Sequence, residues 1–167
     1  PGSAWFAIKL VADLATHKLL GVQVLGPGAV DKVTDIGVMA VTFGVTLEQM
    51  TCLDLSYAPP FSTAIHPFVQ AVHMLLNKIN GDMDSFTPAE YLKGAAEGYR
   101  VVDVNPAGPT IAGAVYVDLL KVKGEVPGLS KDEKLLLVCA KGKRAYLLQN
   151  RLKCYGYTNT KVLEGAS

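Results

Sequence analysis

Long apolar runs are missing from this 167-residue chain. No stretch approaches the roughly 18 consecutive apolar residues of a membrane span, so a membrane partner is not expected. Excess charge is missing too. With 16 basic and 15 acidic side chains the formal net charge is +1, which argues against a nucleic-acid partner held by neutralised phosphates. Cysteine is scarce. Cys52, Cys139 and Cys154 fit no zinc-ligand spacing, and an odd number argues against a disulfide framework. Reduced thiols in a cytoplasmic compartment are the expectation. Pro1-Gly2-Ser3 offers neither an initiator methionine nor a basic signal region, and reads as an internal cut. What is present is 50% hydrophobic and 19% charged, a globular composition with enough apolar material for a core.

The pattern along the chain changes character once. Ala4 to Ala12 and Leu19 to Leu25 read as two strands joined by a turn at Asp13 to His17, hence a hairpin. Helical spacing follows from Ala29 to Phe43, and Thr46 with Gln49 reads as a capping box opening a short helix. Ser56-Tyr57-Ala58-Pro59-Pro60-Phe61-Ser62 must be irregular, because each proline biases its predecessor away from helix. A helix is predicted over Thr63 to Ile79, stopped by Asn80-Gly81-Asp82. Beyond it, Thr87-Pro88 opens a helix, and short apolar strands alternate with helices at Tyr99 to Val104, Ala114 to Val117, Leu135 to Cys139 and Lys161 to Leu163. Two domains are therefore expected, 1–81 and 82–167. The first is α+β; the second is α/β, with a parallel sheet flanked by helices.

The chemistry is expected at Cys139-Ala140-Lys141-Gly142-Lys143-Arg144, between the apolar run Leu135 to Val138 and a helix carrying Ala145, Leu148, Leu152 and Tyr155 on one face. In a parallel sheet, ligands sit beyond the carboxyl ends of strands. There the loop amides and the helix N-terminus can converge on the sulfur, and Lys141, Lys143 and Arg144 favour its anionic form. The bland alternative for Cys139 is an inert core thiol. Arg144 could merely tie down its loop, Lys141 and Lys143 could be plain solvated charges, and Cys154 on the next helix reads as a packing residue. Gly26-Pro27-Gly28 reads as a bare turn, since Asp31 stands where a dinucleotide fingerprint needs its third glycine. His66 and His73 lack a third metal ligand. Asp103 reads as a hydrogen-bonding group at the sheet end.

Two stretches carry a resemblance. Tyr57-Ala58-Pro59-Pro60-Phe61-Ser62, after the hairpin and the long helix, resembles the dimerisation domain of pyridine nucleotide–disulfide oxidoreductases, within them the coenzyme A-disulfide reductase and NADH oxidase branch. Cys139, Gly142 and Arg144 match the Cys-x-x-Gly-x-Arg loop of rhodanese domains. Val101-Val102-Asp103-Val104 and Ile111-Ala112-Gly113-Ala114 match further rhodanese positions. The order of domains resembles the C-terminal part of a coenzyme A-disulfide reductase–rhodanese fusion. One departure stands out: the family's Asp-Val-Arg is here Asp103-Val104-Asn105, followed by the short Pro106 to Thr110 loop. The missing arginine and its acidic partner bear on the stiffness of the scaffold and the shape of the pocket rim.

The resemblance implies a parent enzyme that uses FAD, NAD(P)H and, as a further candidate, coenzyme A, none of them bound by these residues. It implies persulfide sulfur carried on Cys139, with Arg144 orienting an anionic donor and Ala140, Lys141, Gly142 and Lys143 forming the loop. Small sulfur donors and thiol acceptors are the expected partners, in a homodimer formed through the N-terminal domain. Tyr57 would reach toward the redox centre of the other subunit. Cysteine phosphatases of related fold have a loop one residue longer, so sulfur transfer is preferred to phosphatase chemistry. The alternative is a non-catalytic dimerisation scaffold with a degenerate rhodanese pocket.

Overall fold

The computed structural model describes residues 5–60 and 62–165. The internal-cut reading at residues 1–3, the expected strand start at Ala4, and Phe61 of the proline segment lie outside them. The chain divides into two compact units, Pro1–Asn80 and Gly81–Ser167, each with its own core.

In the first unit, β1 (Ala7–Ala12) and β2 (Leu19–Leu25) pair antiparallel, with Ile8 opposite Val24 and Leu10 opposite Val22. Alternate residues of β1 turn inward, so Ile8, Leu10 and Ala12 pack on the core while Lys9 and Val11 face out. The turn between the strands is closed by Asp13, whose Oδ1 accepts from Ala15 N and Thr16 N at 3.1 and 2.7 Å. Helix α1 (Val30–Thr42) lays Val33, Gly37 and Ala40 against β2. Helix α2 (Leu47–Thr51) opens with the capping box read from the sequence, Thr46 with Gln49.

Helix α3 (Pro67–Ile79) starts four residues later than its periodicity suggests. The residue before a proline is pushed out of the helical region. His66 accordingly sits extended and caps the helix, its Nδ1 accepting from Phe68 N at 3.2 Å. Burial holds the His66 imidazole below the usual histidine range.

The second unit is a five-stranded, all-parallel sheet in the order β3 (Ser85–Phe86), β7 (Thr160–Leu163), β6 (Leu135–Val138), β4 (Arg100–Asp103), β5 (Val115–Tyr116). Central β6 is buried at all four positions, as expected for a parallel strand covered on both faces. Strand β3 is too short to show in the sequence. Helix α4 (Pro88–Leu92) has the Thr87 cap and Pro88 at its first position. Helix α5 (Lys143–Cys154) packs Ala145, Leu148 and Leu152 against Leu135, Leu137 and Val162.

The inward face of α5 also carries Gln149, fully buried. Its Nε2 donates to Asp84 O and Thr160 O at 2.7 and 2.9 Å, and its Oε1 accepts from Asp84 N at 3.1 Å. A buried amide is tolerated because its donors and acceptor are met.

Gly37 marks the closest approach of α1 to β2. A Cβ there would lie 2.4 Å from Val22 Cγ1 and 2.7 Å from Val22 Cβ. Helix propensity alone would make Gly37→Ala stabilising by about 1 kcal/mol. Overpacking wins, and we expect a net loss of about 1–3 kcal/mol, read as a lower urea midpoint. Adding Val22→Ala should recover part of it. An undiminished midpoint in Gly37→Ala would show that the contact yields freely.

Candidate functional site

The carboxyl ends of β4 and β6 lie side by side, with Asp103 paired to Val138, and two loops leave from them. The first begins at Asp103, whose side chain is 0% exposed. Its Oδ1 accepts from Asn105 N and Nδ2 at 2.9 and 2.8 Å. Its Oδ2 accepts from Thr110 Oγ1 and Ile111 N at 2.9 and 3.1 Å, and from Thr110 N. Burial opposes ionisation of this carboxyl, but the donors of Thr110, Asn105 and Ile111 outweigh it and hold the group below its ordinary range. The shortened loop is thus pinned by five hydrogen bonds. The missing arginine does not leave it loose.

The second loop begins at Cys139. Strand alternation places Leu135, Leu137 and Cys139 on the face covered by α5, and the thiol is 3% exposed. Its Sγ accepts from Ala145 N, in the first turn of α5, at 3.4 Å. Gly142 caps that helix at φ +72°, a backbone that side chains rarely adopt, and its N–H donates to Cys139 O at 3.3 Å. The amides of Lys141, Lys143 and Arg144 have no hydrogen-bond partner among the described residues. Their state is the ordinary one for a loop running into a helix N-terminus, and it leaves donors for an anion.

The expectation that several amides converge on the sulfur is met by one of them. The Ala140 amide turns elsewhere, to Asn105 Oδ1 at 2.9 Å. Arg144 ties the loop down: its Nε donates to Val104 O at 2.9 Å, and its Nη2 lies 3.9 Å from Asp118 Oδ1. Lys141 and Lys143 are exposed and form no ion pair among the described residues.

Other expected residues fall elsewhere. Tyr57 belongs to the first unit, 61% exposed, in an irregular segment closed by Ser62 Oγ, which donates to Ser56 O and accepts from Ala58 N. Cys154 is exposed, not packed, which corrects the reading from the sequence. It ends α5, about 16 Å along the axis from the loop. Gly26-Pro27-Gly28 joins an antiparallel hairpin to α1, an arrangement that does not fit a dinucleotide. No group of three His, Cys, Asp or Glu among the described residues could hold a metal ion. Val138 faces away from the thiol and lines an apolar groove of about 410 Å³ with Tyr91, Leu92, Ile111 and Leu163.

Comparison with known proteins fits this geometry. Residues 83–167 match the rhodanese-like domain. The chain belongs to the rhodanese-like family. Ahead of this rhodanese-like domain, residues 3–68 match the dimerisation domain of pyridine nucleotide-disulphide oxidoreductases. The chain is 33% identical over 75 residues to an NAD(P)H sulfur oxidoreductase (CoA-dependent) from Pyrococcus furiosus, covering 45% of this chain and 17% of that one. The same figures hold for an NAD(P)H coenzyme A polysulfide/persulfide reductase from Pyrococcus horikoshii. The structure of an NAD-dependent persulfide reductase from A. fulgidus superposes with TM-score 0.84 at 27% identity, covering 96% of this chain and 29% of that one. Reduced CoADR-RHD from Bacillus anthracis gives TM-score 0.88 at 27% identity, covering 99% and 30%. The chain therefore spans less than a third of the length of each of these relatives.

Asp103→Asn keeps the shape but turns an NH2 toward groups that are themselves donors. At pH 7 it should destabilise the rhodanese-like unit by about 2–4 kcal/mol. The folded carboxyl titrates below its unfolded value near pH 3.9, so its contribution is complete above that pH and is lost as pH falls through the folded pKa. The gap between wild type and variant in thermal melts should close on acidification. A gap independent of pH between 7 and 2 would contradict this account.

Proposed function

We propose that this chain is the C-terminal part of a flavin-dependent coenzyme A-disulfide, persulfide or polysulfide reductase, and that its rhodanese-like domain carries sulfane sulfur on Cys139. The observation that carries the reading is the placement of the Cys139 thiol under the first turn of α5. There the Ala145 N–H reaches Sγ, and the Lys141, Lys143 and Arg144 amides have no partner among the described residues. The domain pairing and the persulfide reductases it resembles support the same conclusion.

The Cys139 thiolate attacks the outer sulfur of a donor such as thiosulfate. The new S–S bond forms as the donor's S–S bond breaks, sulfite leaves with the electron pair, and Cys139 is left as a persulfide. A thiol acceptor then attacks the terminal sulfur and regenerates Cys139. The Lys141, Lys143 and Arg144 amides stabilise the terminal sulfur anion. Arg144, besides bracing Val104, adds positive charge for an anionic donor, and Lys141 and Lys143 steer it. Ala140 and Gly142 complete the loop.

In the parent, sulfur passes to an NAD(P)H-dependent reductase centre. FAD, NAD(P)H and coenzyme A belong to that parent and not to these residues. Pairing of two chains through the first unit is proposed from its match to a dimerisation domain and from the exposed Val38, Met39 and Val41 of α1 and Phe43 at its C-cap. Tyr57 would then serve the partner subunit's redox site. A cytoplasmic location is proposed from the unpaired Cys52, Cys139 and Cys154. No helix among the described residues is long and apolar enough to cross a membrane.

The near-complete burial of Cys139 favours a second reading, a non-catalytic dimerisation scaffold with a degenerate pocket. Mass spectrometry after exposure to thiosulfate decides between them. The peptide holding Cys139 should gain one sulfur atom, and Cys139→Ser should abolish both the gain and sulfur transfer to added thiol. Iodoacetamide near neutral pH should label Cys139 at least about tenfold faster than an ordinary thiol. Labelling slower than at exposed Cys154, with no sulfur gained, would leave the scaffold.

A further inference from the structure

The geometry points to Asn105 as a positioning residue for Cys139, an inference that rests on the sulfur-transfer reading. Its carboxamide has only one chemically consistent orientation. Nδ2 donates to Asp103 Oδ1 at 2.8 Å and to Thr110 Oγ1 at 2.7 Å. An ionised carboxylate only accepts, so the NH2 must face it and Oδ1 must face the other way. On that side lies the Ala140 N–H, at 2.9 Å.

That N–H belongs to the peptide joining Cys139 to Ala140. The carbonyl of the same peptide, Cys139 O, accepts from Gly142 N at 3.3 Å. The peptide plane is therefore gripped at both edges, by Asn105 on one and the loop's own turn on the other. Gripping it fixes the torsion on the carboxyl side of the Cys139 Cα, and with it the direction in which Sγ meets Ala145 N.

The chain of control runs from Asp103 through Asn105 and Ala140 to the sulfur, with no contact between Asn105 and the sulfur itself. The arginine of the family pattern has five donors and no acceptor, so it could not receive the Ala140 amide. The short Pro106–Thr110 loop is what brings Thr110 back to hold the carboxamide from its second side. Asn105 and the short loop thus form one device.

The test uses the full chain, with thiosulfate as the probe. In wild type the Ala140 amide should exchange with deuterium at least about tenfold more slowly than a solvent-exposed amide, and Asn105→Ala should abolish that protection. The rate of sulfur loading at saturating thiosulfate should fall about 10–100-fold, the scale expected when a reacting group is misplaced by about an ångström. The thiosulfate concentration at half-maximal rate should stay within about threefold. A merely structural role would instead lower the melting temperature and leave the rate per folded molecule unchanged.

Asn105→Leu keeps the branched shape without donor or acceptor, and reads the same effect if the alanine variant fails to fold. Free exchange of the Ala140 amide in wild type, or wild-type loading by both variants, would overturn the assignment. If wild type gains no sulfur at all, the sulfur-transfer reading falls. The exchange data then still decide the clamp: protection lost in the variants upholds it and protection unchanged removes it.

Discussion

A buried carboxylate governs the carboxyl end of the rhodanese-like sheet. Asp103 is removed from water, and an unpaired charge there would be strongly unfavourable. Five donors from Asn105, Thr110 and Ile111 compensate it, so the burial that opposes the charge also forces the loop to wrap around it. From that constraint follow the orientation of the Asn105 carboxamide, the setting of the Ala140 peptide and the seat of Cys139. The short Pro106–Thr110 connection is accordingly a fitted part and not a defect.

Two environments meet at the thiol: it packs among Leu137, Ala145 and Leu148, and it accepts from the Ala145 amide in the first turn of α5. Lys141, Lys143 and Arg144 add positive charge from the rim. The arrangement places the Cys139 thiol, 3% exposed, at the start of the loop that carries Lys141, Lys143 and Arg144. Arg144 braces Val104 through Nε while its Nη2 lies 3.9 Å from Asp118 Oδ1, so one side chain ties the loop to two neighbouring segments.

The first unit follows a different logic. Its core is closed by close approach, with Gly37 letting α1 settle on Val22, and by the docking of α2 and α3. Along α1 the apolar residues outnumber those the core accepts, and Val38 and Met39, with Phe43 at the C-cap, remain exposed. This apolar surplus, on a helix that already buries Val33, Gly37 and Ala40, is the surface on which the proposed pairing of two chains rests.

Sequence alone determined what depends on near neighbours. The hairpin, the Thr46–Gln49 capping box, the Thr87 cap, the all-apolar β6 and the cysteine loop each follow from residues within a few positions of one another. The start of α3 escapes periodicity, which ignores the restraint that Pro67 places on His66. Two-residue β3 carries no periodic signal, and exposed Cys154 shares its helical spacing with buried neighbours. Tertiary structure decided the rest: which donors satisfy Asp103, that Gln149 fastens α5 to Asp84 and Thr160, and that Asn105 reaches Ala140 across 35 residues. Those bonds join residues distant in the chain, and a polar side chain reveals its partner only once folding has removed the water that would otherwise have served.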